Sequence, residues 1–198
     1  MQINILSEYG VGEAIYGLGL SYGRTSDLED EDLTLADVEE LGDSLYTTAL
    51  SLAGKGEGHD KFLRMLMVTL DIKAPLYWWK EFDTYKIGTV AQSESTMHTL
   101  MKKPIVARMF AGGMDEWMLE HLEAFRQSGD FTALNRHLPH SFLQRRVVMT
   151  SYATLANIIR QRRRHKLMAW RLFCDAVLHG VEHPDLLDKA VNHASTEE

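Results

Sequence analysis

Polar and apolar residues alternate from Gln2 to Leu6, the two-residue period of a short strand. Glycines at 10, 12, 17, 19 and 23 then break up a weakly helical region that ends near Arg24. The acidic run Leu28-Glu-Asp-Glu-Asp-Leu33 reads as a solvated loop and helix start. Thr34 follows as an N-cap, and the spacing predicts an amphipathic helix from Leu35 to Ala53, stopped by Gly54-Lys-Gly-Glu-Gly58. From Met67 to Lys73, apolar Val68, Leu70 and Ile72 alternate with Thr69, Asp71 and Lys73, which predicts a second strand. Pro75 suits the first turn of a helix running to about Tyr85. That helix would place Trp78, Phe82 and Tyr85 on one core-facing side, with Lys80, Glu81, Thr84 and Lys86 projecting elsewhere.

Met114 to Gln127 predicts another helix. From Ser141 to His179 the spacing predicts one long helix, on which Val148, Tyr152, Leu155, Ile159, Trp170, Phe173 and Val177 form a single apolar stripe. The chain reads as one domain over residues 1–190, with a frayed tail over 191–198.

At 198 residues, 45% hydrophobic and 25% charged, the chain is long enough to bury a real core and too apolar for wholesale disorder. Its one cysteine, Cys174, forms no internal disulfide and reads as a buried structural thiol beside Phe173 and Ala176. The opening residues lack the basic start and apolar run of a signal peptide, and no window approaches a membrane span. The expectation is a soluble, cytoplasmic protein.

The formal charge of −7 conceals an asymmetry. Residues 142–171 carry eight of the 21 Lys/Arg and no Asp or Glu, leaving 13 basic against 28 acidic residues elsewhere. Positive charge confined to one segment of an acidic chain suits a compact anion, or an acidic patch on a partner subunit, better than a nucleic-acid duplex. On the helical wheel Arg162, Arg163 and Lys166 lie within about 60° of the apolar stripe, while Arg160 and Arg164 fall well off it. A cation on a packing face needs a partner, since desolvation without one costs several kcal/mol. Three partners fit: a carboxylate from the acidic part or another subunit, a phosphate-bearing ligand, or a nucleic-acid surface.

A second candidate stands at Ser93-Glu94-Ser95-Thr96-Met97-His98, just after the aromatic-rich stretch Lys73–Lys86. Its hydroxyls and carboxylate can pair with a nucleobase edge or a phosphate, and His98 can add cationic character. Ser93 or Ser95 equally suits the N-cap of a short helix through Met97 and Leu100.

Taken in order, these segments resemble the flavin-dependent thymidylate synthase (ThyX) family. The parallel runs from the opening strand through Gly58-His59 and Lys73-Ala-Pro-Leu76. It resumes at Leu138-Pro139 and at Leu155-x-Asn157-Ile-Ile-x-x-Arg162, similar to the family's Leu-x-Asn-Phe-Leu-x-Leu-Arg. The family signature Arg-His-Arg-x-x-Ser-x-Asn-Glu-x-Ser-x-Arg-Tyr is degenerate here. Its Arg-Gln and Arg-His-Arg fall on Lys80-Glu81 and Thr84-Tyr85-Lys86. After a two-residue slip Glu94, Thr96 and His98 take the glutamate, serine and arginine positions. Such motif-poor versions are similar to those of phage genomes.

The resemblance implies an α+β fold with a small antiparallel sheet and long flanking helices, assembled as a homotetramer. It implies FAD at Lys80, Glu81, Thr84 and Tyr85, and a nucleotide phosphate at Lys86, Ser93, Glu94, Ser95, Thr96, His98, Arg162, Arg163 and Lys166. The activity it implies is one-carbon transfer from a folate to C5 of a uridylate, with hydride from reduced flavin. Two signature cations are missing, and each charge-assisted phosphate contact is worth about 1.5–3 kcal/mol, so affinity would fall roughly 10²–10⁴-fold without compensation. The alternative is therefore a non-catalytic, oligomeric nucleotide-binding or structural relative without flavin chemistry. Both readings expect the cations of the basic segment to face the Ser-Glu-Ser-Thr segment across a shared cleft.

Overall fold

A computed structural model describes residues 1–23 and 34–193, so Arg24, the acidic run at 28–33 and residues 194–198 lie outside the description. The strands are β1 (Gln2–Tyr9), β2 (Met67–Pro75), β3 (Thr89–Ser93) and β4 (Leu143–Ser151). The helices are α1 (Val11–Leu20), α2 (Leu35–Leu52), α3 (Leu76–Phe82), α4 (Thr96–Thr99), α5 (Glu116–Gln127), α6 (Phe131–His137), α7 (Tyr152–Arg162), α8 (Met168–Gly180) and α9 (Pro184–His193). The strands form one antiparallel sheet in the order β1-β2-β4-β3. This is the α+β architecture expected.

Alternation decides which face of the sheet is covered. Ile72, Leu70 and Val68 of β2 and Val148 of β4 point into the core with the helices. Gln2, Asn4, Leu6, Gln92, Arg145 and Val147 point the other way and are exposed. Asp71 is the exception on that open face, at 5% exposure.

The start of α2 is fixed as its sequence implies. Thr34 Oγ1 accepts from the Asp37 amide, and the Asp37 carboxylate accepts from the Thr34 amide at 2.9 Å, a capping box worth about 1 kcal/mol. The glycines of the following-strand region behave differently from expectation. Gly12, Gly17 and Gly19 lie inside α1, and a Cβ on Gly42 would sit 3.5 Å from Gly12 Cα. Small residues here let α1 and α2 pack closely rather than breaking the helix.

Three further expectations are corrected. Pro75 ends β2 with an extended backbone (φ −70°, ψ 152°) and precedes α3, which stops at Phe82 rather than Tyr85. The single helix over 141–179 is instead a strand and two helices. Residues 143–151 pair one for one with Met67–Pro75, so their backbone groups are spent across the sheet. The chain turns again between Arg162 and Met168, where the Leu167 amide donates to His165 Nδ1 at 3.2 Å. The turn lets Leu155 and Ile159 of α7 and Trp170, Phe173 and Val177 of α8 reach the same core. Finally, α9 runs through 191–193, with Val191 fully buried, so those residues are helix rather than tail.

The aromatic cluster is scaffold. Trp78 packs on Trp170 (ring centroids 4.7 Å apart), Trp79 (4.9 Å) and Phe82 (5.0 Å), all of them buried. Cys174 is buried beside this cluster and its thiol is pushed up to about 12 by burial, as suits a structural side chain. Between β3 and β4 a separate lobe has its own core of Leu100, Ile105, Phe110, Leu122, Leu134 and Phe142.

Candidate functional site

The open sheet face holds a cleft of about 690 Å³, a size suited to a small-molecule ligand. Arg145 of β4 lies across it. Its Nε and Nη2 donate to the two Asp71 carboxylate oxygens at 2.7 and 2.6 Å, and the remaining nitrogen is left to face the cleft. In the β2–β4 ladder Asp71 pairs with Val147 and Lys73 with Arg145, so Asp71 and Arg145 are diagonal neighbours on one face and the sheet itself sets their approach. The hydrogen bonds from Arg145, helped by Asn4 against the opposing cost of burial, hold the Asp71 carboxyl below its usual range. Arg145 is raised in turn by the same pair. Lys73 lines the cleft, and among the described residues its side chain has no hydrogen bond or ion pair.

Arg146, the next residue, points to the other side of the strand. It donates to Asp83 at 2.7 Å and stacks 4.3 Å over the Trp79 ring, which itself donates to the Gln144 carbonyl at 3.0 Å.

Ser93 and Glu94 close the edge of this cleft. The Glu94 amide donates to the Arg145 carbonyl at 2.8 Å, and the Glu94 carboxylate accepts from the Arg145 amide at 3.2 Å. Gln144 Nε2 donates to the Glu94 carbonyl at 3.1 Å. The segment is thus clamped to β4 as it leaves the sheet. Ser95 occupies the N-cap position of α4 without a side-chain cap bond, and Thr96 begins that helix. Ser93 is the last residue of β3, so it caps nothing. His98 turns away into a second pocket with Lys102, Lys103 and Arg108, of about 600 Å³, which shares Glu94 with the first.

Arg162, Arg163 and Lys166 are not brought to Ser93–His98 within the chain. Arg162 donates to Glu81 Oε2 at 3.2 Å and to the Tyr85 hydroxyl at 2.7 Å, and lies 4.8 Å over the Trp170 ring. Trp170 Nε1 donates to the same Glu81 oxygen at 2.7 Å, with His165 Nε2 3.7 Å away. The packing-face cation has found its partner in a carboxylate of the acidic part of the chain. Arg163 donates to Asn192 at 2.7 Å, while Lys166 is exposed. Within one chain, the basic segment thus faces Ser93 and Glu94 through Arg145 of β4, joined by Lys73 of β2, rather than through Arg162, Arg163 and Lys166.

The cofactor positions divide. Glu81 and Tyr85 belong to the Arg162 cluster, and Thr84 Oγ1 donates to the Glu81 carbonyl at 2.7 Å. Lys80 is exposed, as is Lys86 of the expected phosphate set. On the helix side, a third cleft of about 720 Å³ is lined by Arg64, Tyr85, Gly88, Asn157 and Arg160, among others. Asn157 and Arg160 keep donors free, and Arg64 has no side-chain partner among the described residues.

The sequence reading missed Lys73, Arg145, Lys102, Lys103 and Arg108. Arg145 was hidden inside the expected long helix. The β-branched run around it, Val147-Val148-Met149-Thr150, was the available strand signal.

No protein-family model and no curated protein matches the chain by sequence. Solved structures do. ThyX from Helicobacter pylori, crystallised with FAD and dUMP, superposes with a TM-score of 0.75 over 98% of this chain and 100% of that one, at 15% identity. A second structure of the flavin-dependent thymidylate synthase from that organism, also with FAD and dUMP, gives 0.74 at 15% identity, over 97% and 100%. The UMP/dUMP methylase PolB from Streptomyces cacaoi, bound with 5-Br dUMP, gives 0.62 at 12% identity, over 95% and 93%. This chain has the ThyX fold. At these identities the ThyX-like architecture is what is shared. Among the described residues, no helix is long and apolar enough to cross a membrane.

Proposed function

We propose that the protein binds a nucleoside monophosphate in the open-face cleft, with Arg145 and Lys73 toward the phosphate and Ser93 and Glu94 toward the sugar or base. One observation carries this reading: a buried carboxylate, Asp71, aims a largely solvent-exposed arginine across a cleft that holds a second, unpaired cation. A bidentate clamp of this kind spends two arginine donors on orientation and leaves the rest for a planar or tetrahedral anion. The ThyX-fold proteins crystallised with dUMP or 5-Br dUMP support a uridylate as the nucleotide. Calorimetric titration with dUMP tests it. Binding that weakens at least tenfold in Arg145→Ala supports the site, and unchanged binding overturns it.

Flavin-dependent one-carbon transfer to C5 of that uridylate is the chemistry we infer for the fold. The donor chemistry of the helix-side cleft fits a flavin's phosphates: Arg64, Asn157 and Arg160 would hold them, with the Tyr85 ring in its wall, whereas Glu81 and Thr84 are engaged elsewhere. When bound, a reduced flavin supplies hydride, so the chain's own residues need only position rings, fix phosphates and exclude water. A folate donor and a homotetramer belong to the same proposal. Light scattering checks the assembly.

The second reading, nucleotide binding without flavin chemistry, is favoured by the closed Glu81–Arg162–Tyr85 cluster. Colour separates the two. Absorbance near 450 nm and a flavin released at about one per chain support the enzyme. Colourless protein that takes up no added FAD supports the binder.

A further inference from the structure

We infer that the pocket between the sheet edge and the lobe is a separate site for an anion carried on an apolar ring. It is built from His98 of α4, Lys102 and Lys103 just after it, Arg108, and a wall that includes Pro104, Val106, Met109 and the buried Phe142. Four groups that carry or can carry positive charge stand there against one acid, Glu94. That acid is already committed, since its carboxylate accepts from the Arg145 amide. Among the described residues, no hydrogen bond or ion pair engages the side chains of His98, Lys102, Lys103 or Arg108. Elsewhere four arginines do meet a carboxylate: Arg126 with Glu123, Arg145 with Asp71, Arg146 with Asp83, Arg162 with Glu81. Like charges converging unpaired on one concavity repel each other, and an anion between them relieves that repulsion.

The pocket is also held open. Glu123 of α5 accepts from the Ile105 amide at 2.9 Å and from Arg126 Nε at 2.8 Å, which fixes the backbone between the lysines and Val106. Phe142 is pinned behind it, its carbonyl accepting from the Leu76 amide at 3.0 Å and its ring 5.9 Å from Phe110. A bare ion would leave this apolar wall wet. A ring carrying a phosphate or a carboxylate would cover the wall and present its charge to the rim. The inference does not need the nucleotide site, because Lys102, Lys103 and Arg108 lie outside the open-face cleft.

Ligand-observed NMR and calorimetry on the full chain test it with phenyl phosphate, benzoate and inorganic phosphate, beside dUMP as a separate arm. Phenyl phosphate or benzoate should bind at least tenfold more tightly than inorganic phosphate. The double variant Lys102→Glu/Lys103→Glu, whose residues are solvent-exposed, should lose that binding tenfold or more while keeping the wild-type circular dichroism and dUMP affinity. Whichever of the two aromatic anions binds more tightly identifies the head group. Equal binding of inorganic phosphate, or aromatic-anion affinity untouched by the double variant, overturns the inference. Loss of dUMP binding in wild type with retained, lysine-dependent phenyl phosphate binding would sink the nucleotide reading and leave this one standing. Should the double variant unfold, Arg108→Gln gives the same reading through a smaller change, a weakening of about threefold or more, and no change overturns it.

Discussion

Arg145 Nε and Nη2 grip the two oxygens of Asp71 at 2.7 and 2.6 Å, while the arginine side chain stays 64% exposed and the aspartate only 6%. The carboxylate is therefore an orienting group for a cation that still faces solvent. Asp71→Asn should keep the fold but weaken dUMP binding roughly tenfold, as the guanidinium loses its fixed direction. The acid dependence has a definite sign. The Asp71 pKa is lowered in the folded state, so its contribution is full above 3.8 and fades as pH falls through the lower folded value. Urea midpoints of wild type and Asp71→Asn should converge below pH 3.8. A constant gap would refute the pairing.

Glu81 serves three partners at once: Arg162, Trp170 Nε1 and, more distantly, His165. Replacing it with alanine strands a fully buried indole N–H and leaves the part-buried guanidinium without its carboxylate, held by the Tyr85 hydroxyl alone. Glu81→Ala should cost about 3 kcal/mol in denaturant unfolding, and Glu81→Gln, which keeps an acceptor, about half of that.

Gly88 joins α3 to β3 at φ +80°, and a Cβ there would meet Thr154 Oγ1 at 2.3 Å. Gly88→Ala thus combines a left-handed backbone with a clash against α7. It should destabilise by more than 1 kcal/mol, on the order of the glycine penalty for a left-handed residue plus overpacking. Thr154→Ala in the same chain should recover part of that loss, because it removes the oxygen but not the backbone strain.

Glu123 ties the lobe together. Its pKa is lowered to about 2, chiefly by the Arg126 hydrogen bond and then by the Ile105 amide, against the cost of burial. A depressed carboxyl stabilises above its ordinary 4.5 and ceases to do so as pH falls toward 2. The hydrogen-exchange protection factor of the Ile105 amide should drop over that window in wild type. In Glu123→Gln it should be lower at neutral pH and flat on acidification.

Much of the fold was legible where one periodicity dominated. The alternation of Val68, Leu70 and Ile72 gave β2, and Thr34 with Asp37 gave the start of α2. β4 was not legible, because its open face carries Val147 and Met149 while its inner face carries Thr150. Hydrophobicity therefore does not alternate along it. The turn after Arg162 contains no Gly or Pro. Arg162 at its start and His165 within it both reach the distant Glu81, a contact that a local pattern cannot show. Ser93, Glu94 and His98 were singled out for their chemistry, and they stand on the walls of two adjoining concavities. Their cationic neighbours were misplaced because pairing across strands, rather than spacing along the chain, brings Lys73 and Arg145 side by side.

The last residue of β3, Ser93, lies opposite Arg146 in the ladder, and β4 begins three residues earlier at Leu143, so residues 94–142 leave and re-enter the sheet at the same end. Outside the ladder, the segment is tied back to α3 by the Leu76 and Tyr77 amides, which donate to the Phe142 and His140 carbonyls. A tight hairpin turn could bridge the gap, and a longer or shorter excursion could be grafted there while the four-stranded register stays intact. The sheet is thus a foundation whose ladder is complete before that excursion is added, since β1, β2 and β4 pair along their whole lengths without it.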